Sequence, residues 1–581
     1  MIDTRLCRRF ILPALAGVLA LFAADRASGD HRSLLPPDDL VIVEVPRGSE
    51  LLDHPLATRL LAGLEKSSQW QGLKSTPQFD RLRLIRRLIE KASGEDWKTG
   101  LRKLTAGGAA VAFSPGKTGG VTAVIAAADA KALQRFIAVA QRHVRSRLPE
   151  PQRSGVYRTV RKAGREYTKV GEAAFALVGN RLLFGSNERR LLDALKRLDL
   201  VKREERPQRG AKADRPPAPY LRVSVNAAGL RKLPDVAKLL KLPAREAGAV
   251  ALLGGWTDLL RNGNRLAAEL VPDGNSLELR VRSAATRAAT TPGLTGFFTD
   301  GKRETIAPLL QLPNTIYAAS WYRDYRSLWN GRSKLLTAKS LKTIEEGDET
   351  IRKQFSVIGG KMLPSRAFSL MGPRFRAVAV RQPKSEYRVD QPSRLPAGGL
   401  AIELRDESAF RDEVVPFFRG LSLILTFGEQ KMLLYKSKYK GADLAGLRFR
   451  DDAASASQAD HIRYNFAPTY AVTRGHFFAG SSATIVRQMI DEIDRQSRER
   501  AAVRTTATEM QRLSLTEAAQ AVRDFGSTLT LALSFNGGLS VAESKRELEL
   551  LAKLLATVGE ITTEAGFDKR GFLYRVRIGK N

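Results

Sequence analysis

Phe175-Ala-Leu-Val-Gly-Asn-Arg-Leu-Leu-Phe-Gly-Ser186 reads as an apolar strand, a Gly-Asn turn and a second apolar strand. Glycine and asparagine reach positive φ at little cost, so this stretch predicts a tight β-hairpin. Asn187 follows, with Leu191, Leu195 and Leu198 behind it at helical spacing. An asparagine side chain can accept an orphan N–H from the first turn of a helix. A capped amphipathic helix is therefore expected directly after the hairpin. The pattern recurs at Tyr470-Ala-Val-Thr-Arg-Gly-His-Phe-Phe-Ala-Gly-Ser481, where Ser482 stands at the cap and Val486, Ile490 and Ile493 form the stripe.

Further matches extend outward from this pair. Gly120–Ala126 reads as a strand, Asp129 as a cap, and Leu133, Ile137, Ala140 and Val144 as an inward stripe. Gly399–Arg405, Asp406 and Phe410, Val414, Phe417 and Leu421 repeat it. Pro416 departs from the pattern, and its missing N–H predicts a kink or a late start in the second helix. Each half opens on a strand after a proline, Pro37–Val45 and Pro313–Trp321, and closes on one, Leu277–Arg282 and Phe572–Arg577. The matches keep their order along the chain, which points to an internal duplication.

The expected fold class is α+β: two tandem copies of a unit with a mainly antiparallel sheet and amphipathic helices on one face. Turns too short for a helical crossover favour the antiparallel arrangement. The expected organisation is a signal peptide over 1–29, a first repeat over 36–283, a linker over 284–311 and a second repeat over 312–579. Residues 201–217, dense in charge and proline, and residues 498–508 read as loose loops.

The N-terminus carries Arg5, Arg8 and Arg9 before an apolar run from Phe10 to Ala24. Spans need ~20 apolar residues, so the run suits a secretory signal, cleaved near Asp30 after Ala27-Ser28-Gly29. An uncleaved anchor is the alternative. The expected location is periplasmic or extracellular. Cys7 is the only cysteine, which leaves the mature chain no thiolate, disulfide or Cys-based metal site.

The paired hairpin–helix elements and the proline-led strands, at Pro37–Val45 with Leu177–Leu198 and at Pro313–Trp321 with Val472–Ile493, resemble a family of exported bacterial proteins of unknown function. The resemblance implies an envelope location and brings no catalytic residues.

The chain holds 95 Lys and Arg against 61 Asp and Glu, a formal net charge of +34. Such a balance attracts anionic surfaces and polymers. Outside the membrane these are lipid headgroups or acidic polysaccharide, while an arginine-favouring composition with solvated charges is the plain alternative. Basic runs occur at Arg81–Arg87, Arg142–Arg147, 201–217 and Lys431–Lys440. Nucleic-acid modules interleave such charge with aromatics. Only Tyr435 and Tyr439 do so here, and no nucleic-acid partner is expected.

No catalytic, cofactor-binding or metal site is assigned from the sequence. Ser114-Pro-Gly-Lys-Thr-Gly-Gly120 ends like a phosphate loop but has Val111 where the first glycine belongs, and it joins two strands. A hairpin turn is expected there, and Gly254-Gly255 and Gly359-Gly360 are read as turn glycines. His31, His54, His143, His461 and His476 share no metal-binding spacing, and His476 is read as a turn residue. Carboxylate pairs for glycoside cleavage, Asp324 with Asp406 or Glu269 with Glu278, read more naturally as caps and solvated strand residues. Trp256, Trp321 and Trp329 are expected in the core. These readings favour an exported, non-enzymatic protein that binds or organises cell-envelope components. The alternatives are a periplasmic carrier of an apolar ligand such as lipid, and a hydrolase with dispersed carboxylates.

Overall fold

A computed structural model describes residues 31–579, apart from 37–38, 67–69, 71, 73, 75, 116–118, 154, 163, 205–217, 242, 244–245, 301–303, 357–363, 383–385, 388–393, 427–431, 451–462 and 500–506. The expected signal segment, Gly116–Thr118, Gly359-Gly360, His461 and most of the two expected loose loops lie outside the described residues. Two compact units emerge. The first holds the chain up to Leu233 together with Asn264–Val281. The second holds Pro234–Gly263 and the chain from Arg282 on.

The strands of the first unit are β1 (Val41–Val45), β2 (Ala109–Ser114), β3 (Gly120–Ala126), β4 (Arg158–Lys162), β5 (Arg165–Val170), β6 (Ala173–Val178), β7 (Arg181–Gly185), β8 (Leu221–Asn226) and β9 (Arg265–Asp273). They pair in the order β9-β8-β1-β2-β3-β7-β6-β5-β4, each ladder antiparallel. Its main helices are α1 (Pro77–Ser93), α2 (Trp97–Thr105), α3 (Ala130–Ser146) and α4 (Glu188–Glu204). After β9 comes β10 (Ser276–Ser283), and β9 pairs with it.

The second unit takes in Pro234–Gly263, including helix α5 (Ala247–Asn262), which the chain makes between β8 and β9. Its strands are β11 (Thr315–Tyr322), β12 (Met371–Val380), β13 (Ala397–Leu404), β14 (Met432–Tyr439), β15 (Ala442–Phe449), β16 (Thr469–Thr473), β17 (His476–Gly480), β18 (Ala507–Ser514), β19 (Glu560–Asp568) and β20 (Gly571–Ile578). They pair in the order β20-β19-β18-β11-β12-β13-β17-β16-β15-β14, again antiparallel. Counted from β11 as from β1, the succession is that of the first unit. Besides Tyr325–Asn330, Arg332–Leu335 and the long helix Ala338–Ser356, the helices of the second unit after β11 are α6 (Pro364–Leu370), α7 (Glu407–Glu413), α8 (Val415–Thr426), α9 (Ala483–Arg498), α10 (Leu515–Asp524), α11 (Gly526–Gly537) and α12 (Val541–Val558).

Both predicted hairpins form with two-residue loops, Val178 opposite Arg181 and Thr473 opposite His476. Gly179 sits at φ 61, and Arg474 and Gly475 at 55 and 68, the positive values that two-residue turns demand. The caps are in place. Asn187 accepts from Arg190 N at 3.0 Å, Ser482 from Ile485 N at 3.4 Å, Asp129 from Lys131 N at 2.5 Å and Asp406 from Ala409 N at 2.9 Å.

Helices cover both faces of each sheet, which corrects the one-face expectation. Ile125, Leu182 and Phe184 meet the α1–α3 side through Ile89, Leu101 and Leu133. Val124 and Leu183 meet α4 through Leu191, Leu195 and Leu198. In the second unit Phe477 joins Phe410 and Val414, whereas Phe478 joins Val486, Ile490 and Ile493. The reason is visible in β3, where Thr122–Ala126 are buried at every position rather than at alternate ones. Unbroken burial along a strand requires cover on both sides.

Pro416 divides the expected single helix into α7 and α8, with Val414 at φ −100 between them. Gly254 and Gly255 are not turn residues. They lie inside α5, where a Cβ on Gly255 would fall 2.5 Å from the Phe297 ring. Within the expected linker, Leu294, Phe297 and Phe298 lie in the core around α5.

Candidate functional site

The four carboxylates weighed for hydrolysis are all engaged. Asp324 caps a short helix and accepts from Arg405, while Asp406 caps α7. Glu269 accepts from Arg222, and Glu278 accepts two bonds from Arg280. Trp256 meets Phe572 and Tyr574 edge-on, Trp321 stacks on Phe375, and Arg332 lies over Trp329. Among the described residues no three His, Cys, Asp or Glu side chains are grouped to hold a metal ion. Ser114 and Gly120 face each other across the β2–β3 hairpin, as expected for a strand–turn–strand segment.

His476 is a strand residue, not the turn residue expected. Its Nε2 lies 2.8 Å from an Arg376 guanidinium nitrogen and its Nδ1 2.7 Å from Arg474 O. A guanidinium only donates, so Nε2 is the acceptor and Nδ1 carries the proton. Burial, then the Arg376 charge, pushes His476 down to about 4, so it is neutral at pH 7. Arg376 also donates to Gln496 Oε1, and burial lowers it to about 10, which leaves it charged. This network fastens β12, β17 and α9 together. Its role is positional.

In the first unit Arg190 donates to both oxygens of Asp39, at 2.8 and 3.1 Å, and Ser114 donates to the same carboxylate at 2.6 Å. A cleft of about 320 Å³ opens beside them, lined with Arg189, Arg190, Asp193 and Arg197. Its walls suit an anion rather than an apolar ligand.

The more distinctive feature is a surface formed by α8 and the edge strand β14. Helix α8 turns Phe418 inward onto Phe477, yet it is apolar on its outer side as well. Its buried positions after Val415 are Gly420 and Ser422, whereas Leu421, Leu423, Ile424 and Leu425 are 39–47% exposed. Leu421 is therefore outward, against the expectation that it continues an inward stripe. The break before Pro416 starts a new helix, in which Gly420 and Ser422 take buried positions and the Ser422 hydroxyl donates to Phe418 O. Strand β14 packs against α8 and adds the exposed Leu434, on the same strand face as Lys436 and Lys438; the exposed Leu433 points to the opposite face, with Tyr435 and Tyr439. Among the described residues it pairs with β15 alone. Lys436 and Lys438 stand exposed further along it, Lys440 in the following turn pairs with Asp491 at 2.6 Å, and Arg448 lies opposite Leu433. The interleaved tyrosines turn away from solvent. Tyr435 bonds Thr469, and Tyr439 donates to Asp491 at 2.7 Å. They are not stacking platforms.

The strand at the same place in the first unit, β4, is also basic, with Arg158, Arg161 and Lys162 exposed. Lysine-rich edges by themselves serve to blunt sheet edges against aggregation. The exposed aliphatic side chains of α8, with Leu434 of β14, go beyond that purpose. The sequence signal for this surface was the apolar run Leu421–Leu425 followed closely by the basic run Lys431–Lys440.

No family model matches the chain, and no curated protein matches it. Solved structures give a partial likeness to TP0453. Crystal form III is 11% identical, with a TM-score of 0.21, and the alignment covers 44% of this chain and 80% of that one. Crystal form IV is 10% identical, at 0.21, over 44% and 83%. Crystal form I is 11% identical, at 0.19, over 44% and 79%.

Proposed function

We propose that this is an exported protein of the cell envelope that binds an anionic lipid surface. The observation that carries the reading is the α8–β14 surface, where exposed leucines lie beside exposed lysines. Leucine side chains leave water for the headgroup boundary, and lysines gain ~1 kcal/mol each near anionic lipid. Acidic polysaccharide would use the lysines but give the leucines nothing, so lipid is the better fit. The formal charge of +34 supports attraction at a distance, and the N-terminal apolar run supports export.

Co-sedimentation with vesicles of phosphatidylcholine and phosphatidylglycerol across a salt series tests this. Binding is expected at low ionic strength and release as salt shortens the screening length toward ~8 Å. Lys436→Gln with Lys438→Gln should weaken binding by ~2 kcal/mol, about 30-fold. Leu425→Ser with Leu434→Ser should weaken it without changing the salt dependence. Absence of binding at low salt rejects the reading. Equal binding to acidic polysaccharide by wild type and the leucine variant would replace lipid with polymer.

A further inference from the structure

Residues 525–542, Phe-Gly-Ser-Thr-Leu-Thr-Leu-Ala-Leu-Ser-Phe-Asn-Gly-Gly-Leu-Ser-Val-Ala, contain no charged side chain in a chain that is 27% charged. They form α11, a glycine turn with Gly538 at φ 64, and the start of α12. Polarity here is inverted. Thr530 is buried, and Ser534 meets the fully buried Ser544 of α12 at 3.1 Å between hydroxyl oxygens. One residue on from each, Leu531 is 54% and Phe535 85% exposed, and Val541 past the turn is 51% exposed. Helices folded against water bury leucine and expose serine. Small and hydroxyl residues between helices, with aliphatic and aromatic residues outside, are the arrangement of helices that face hydrocarbon.

Building on the lipid-binding reading above, we propose that the α11–α12 tip is a second lipid contact, which sinks Leu531, Phe535 and Val541 into the acyl region. At 12 residues α11 is ~18 Å long, too short to span ~30 Å of hydrocarbon and suited to an interfacial position. Among the described residues no helix is long and apolar enough to cross a membrane. Lys545 and Arg546 stand exposed one turn beyond the tip, where their heads can reach phosphates while their stems lie along the apolar surface. A second copy of the chain is the poorer occupant. A handful of partly exposed side chains falls short of the ~800 Å² per partner that a stable interface buries.

Cys7 is the only cysteine, so Cys7→Ser with Phe535→Cys gives the full chain one labelling site for an environment-sensitive fluorophore. A matching label at Lys196→Cys, on the exposed side of α4, is the control. With phosphatidylcholine–phosphatidylglycerol vesicles, the label at 535 is expected to brighten several-fold and to be quenched by quenchers attached to acyl chains. The label at 196 should do neither. Adsorption with the label at 535 still in water overturns the insertion while leaving the lipid-binding reading intact. Failure to adsorb at low salt overturns both. Self-association without lipid that Leu531→Gln with Phe535→Gln abolishes would make a second copy the occupant, and would overturn the proposal.

Discussion

Arg181 and His476 occupy the same place in the same hairpin, the first residue after the two-residue turn, one in each unit. Arg181 faces Ala126 across the sheet, and His476 faces Glu403. In the first unit the neighbouring strands carry small apolar residues, and the arginine stays at the rim. In the second unit β12 places Arg376 on the buried side, and a neutral histidine and a glutamine hold the guanidinium there. One strand order thus tolerates either a rim charge or an interior polar network at the same site. What changes is the cost of losing the side chain, because an unpartnered buried charge is far more damaging than an unpartnered surface one.

Truncation should expose that difference most. His476→Ala removes an acceptor from Arg376, a residue only 4% exposed. The expected loss is ~2–4 kcal/mol. Arg181→Ala should stay within ~0.5 kcal/mol, as for most surface changes. Hydrogen exchange of the β7 and β17 amides reads each unit separately. Comparable losses at the two positions would show that the network adds nothing to the second unit.

The contrast also marks what the sequence made legible. Gly179-Asn180 and Arg474-Gly475 announced both hairpins because positive φ is a local demand met by few residue types. Asn187 and Ser482 announced the helices for the same kind of reason. His476 could not be placed, because its surroundings come from β12, 100 residues away in sequence. The two-sided cover of the sheets was partly readable in the unbroken run at 122–126. Gly254-Gly255 was misread because a glycine pair inside a helix answers to a distant ring, Phe297, and not to a turn. Nothing local in the sequence of α11 sets which of its faces is covered, and Leu421 escaped because a leucine at helical spacing is expected to point inward. In α8 and α11 the small and hydroxyl residues do so instead.

A smaller effect follows from protonation. Folding lowers His476 from an ordinary 6.5 to about 4. Its contribution to stability is complete above pH 6.5. Between 6.5 and 4 the unfolded chain takes up a proton that the folded chain refuses, so stability falls as pH falls. The slope is at most ~1.4 kcal/mol per pH unit. His476→Asn retains an acceptor for Arg376 but does not titrate. Urea unfolding of the second unit should therefore show wild type losing stability faster than the variant between pH 6.5 and 4. Parallel curves would mean the ring is as easily protonated folded as unfolded.

The smallest expected effect tests the two caps that follow the hairpins. Asn187 accepts from Arg190 N at 3.0 Å, and its amide also donates to Gly119 O at 3.3 Å. It thereby ties α4 to the β2–β3 hairpin as well as closing the first turn. Ser482 makes one longer bond, to Ile485 N at 3.4 Å. N-cap removal costs ~0.5–2 kcal/mol in general, scaling with how well the bond is made. Asn187→Ala should lie near the middle of that range, because it loses two bonds and unties a hairpin. Ser482→Ala should lie at the lower end, since α9 is held by Val486, Met489 and Ile490, all fully buried. Hydrogen exchange in the first turns of α4 and α9 would rank them. If Ser482→Ala proves the more damaging, the cap and not the apolar stripe fixes where α9 begins, and the two helices are anchored by different means despite matching positions.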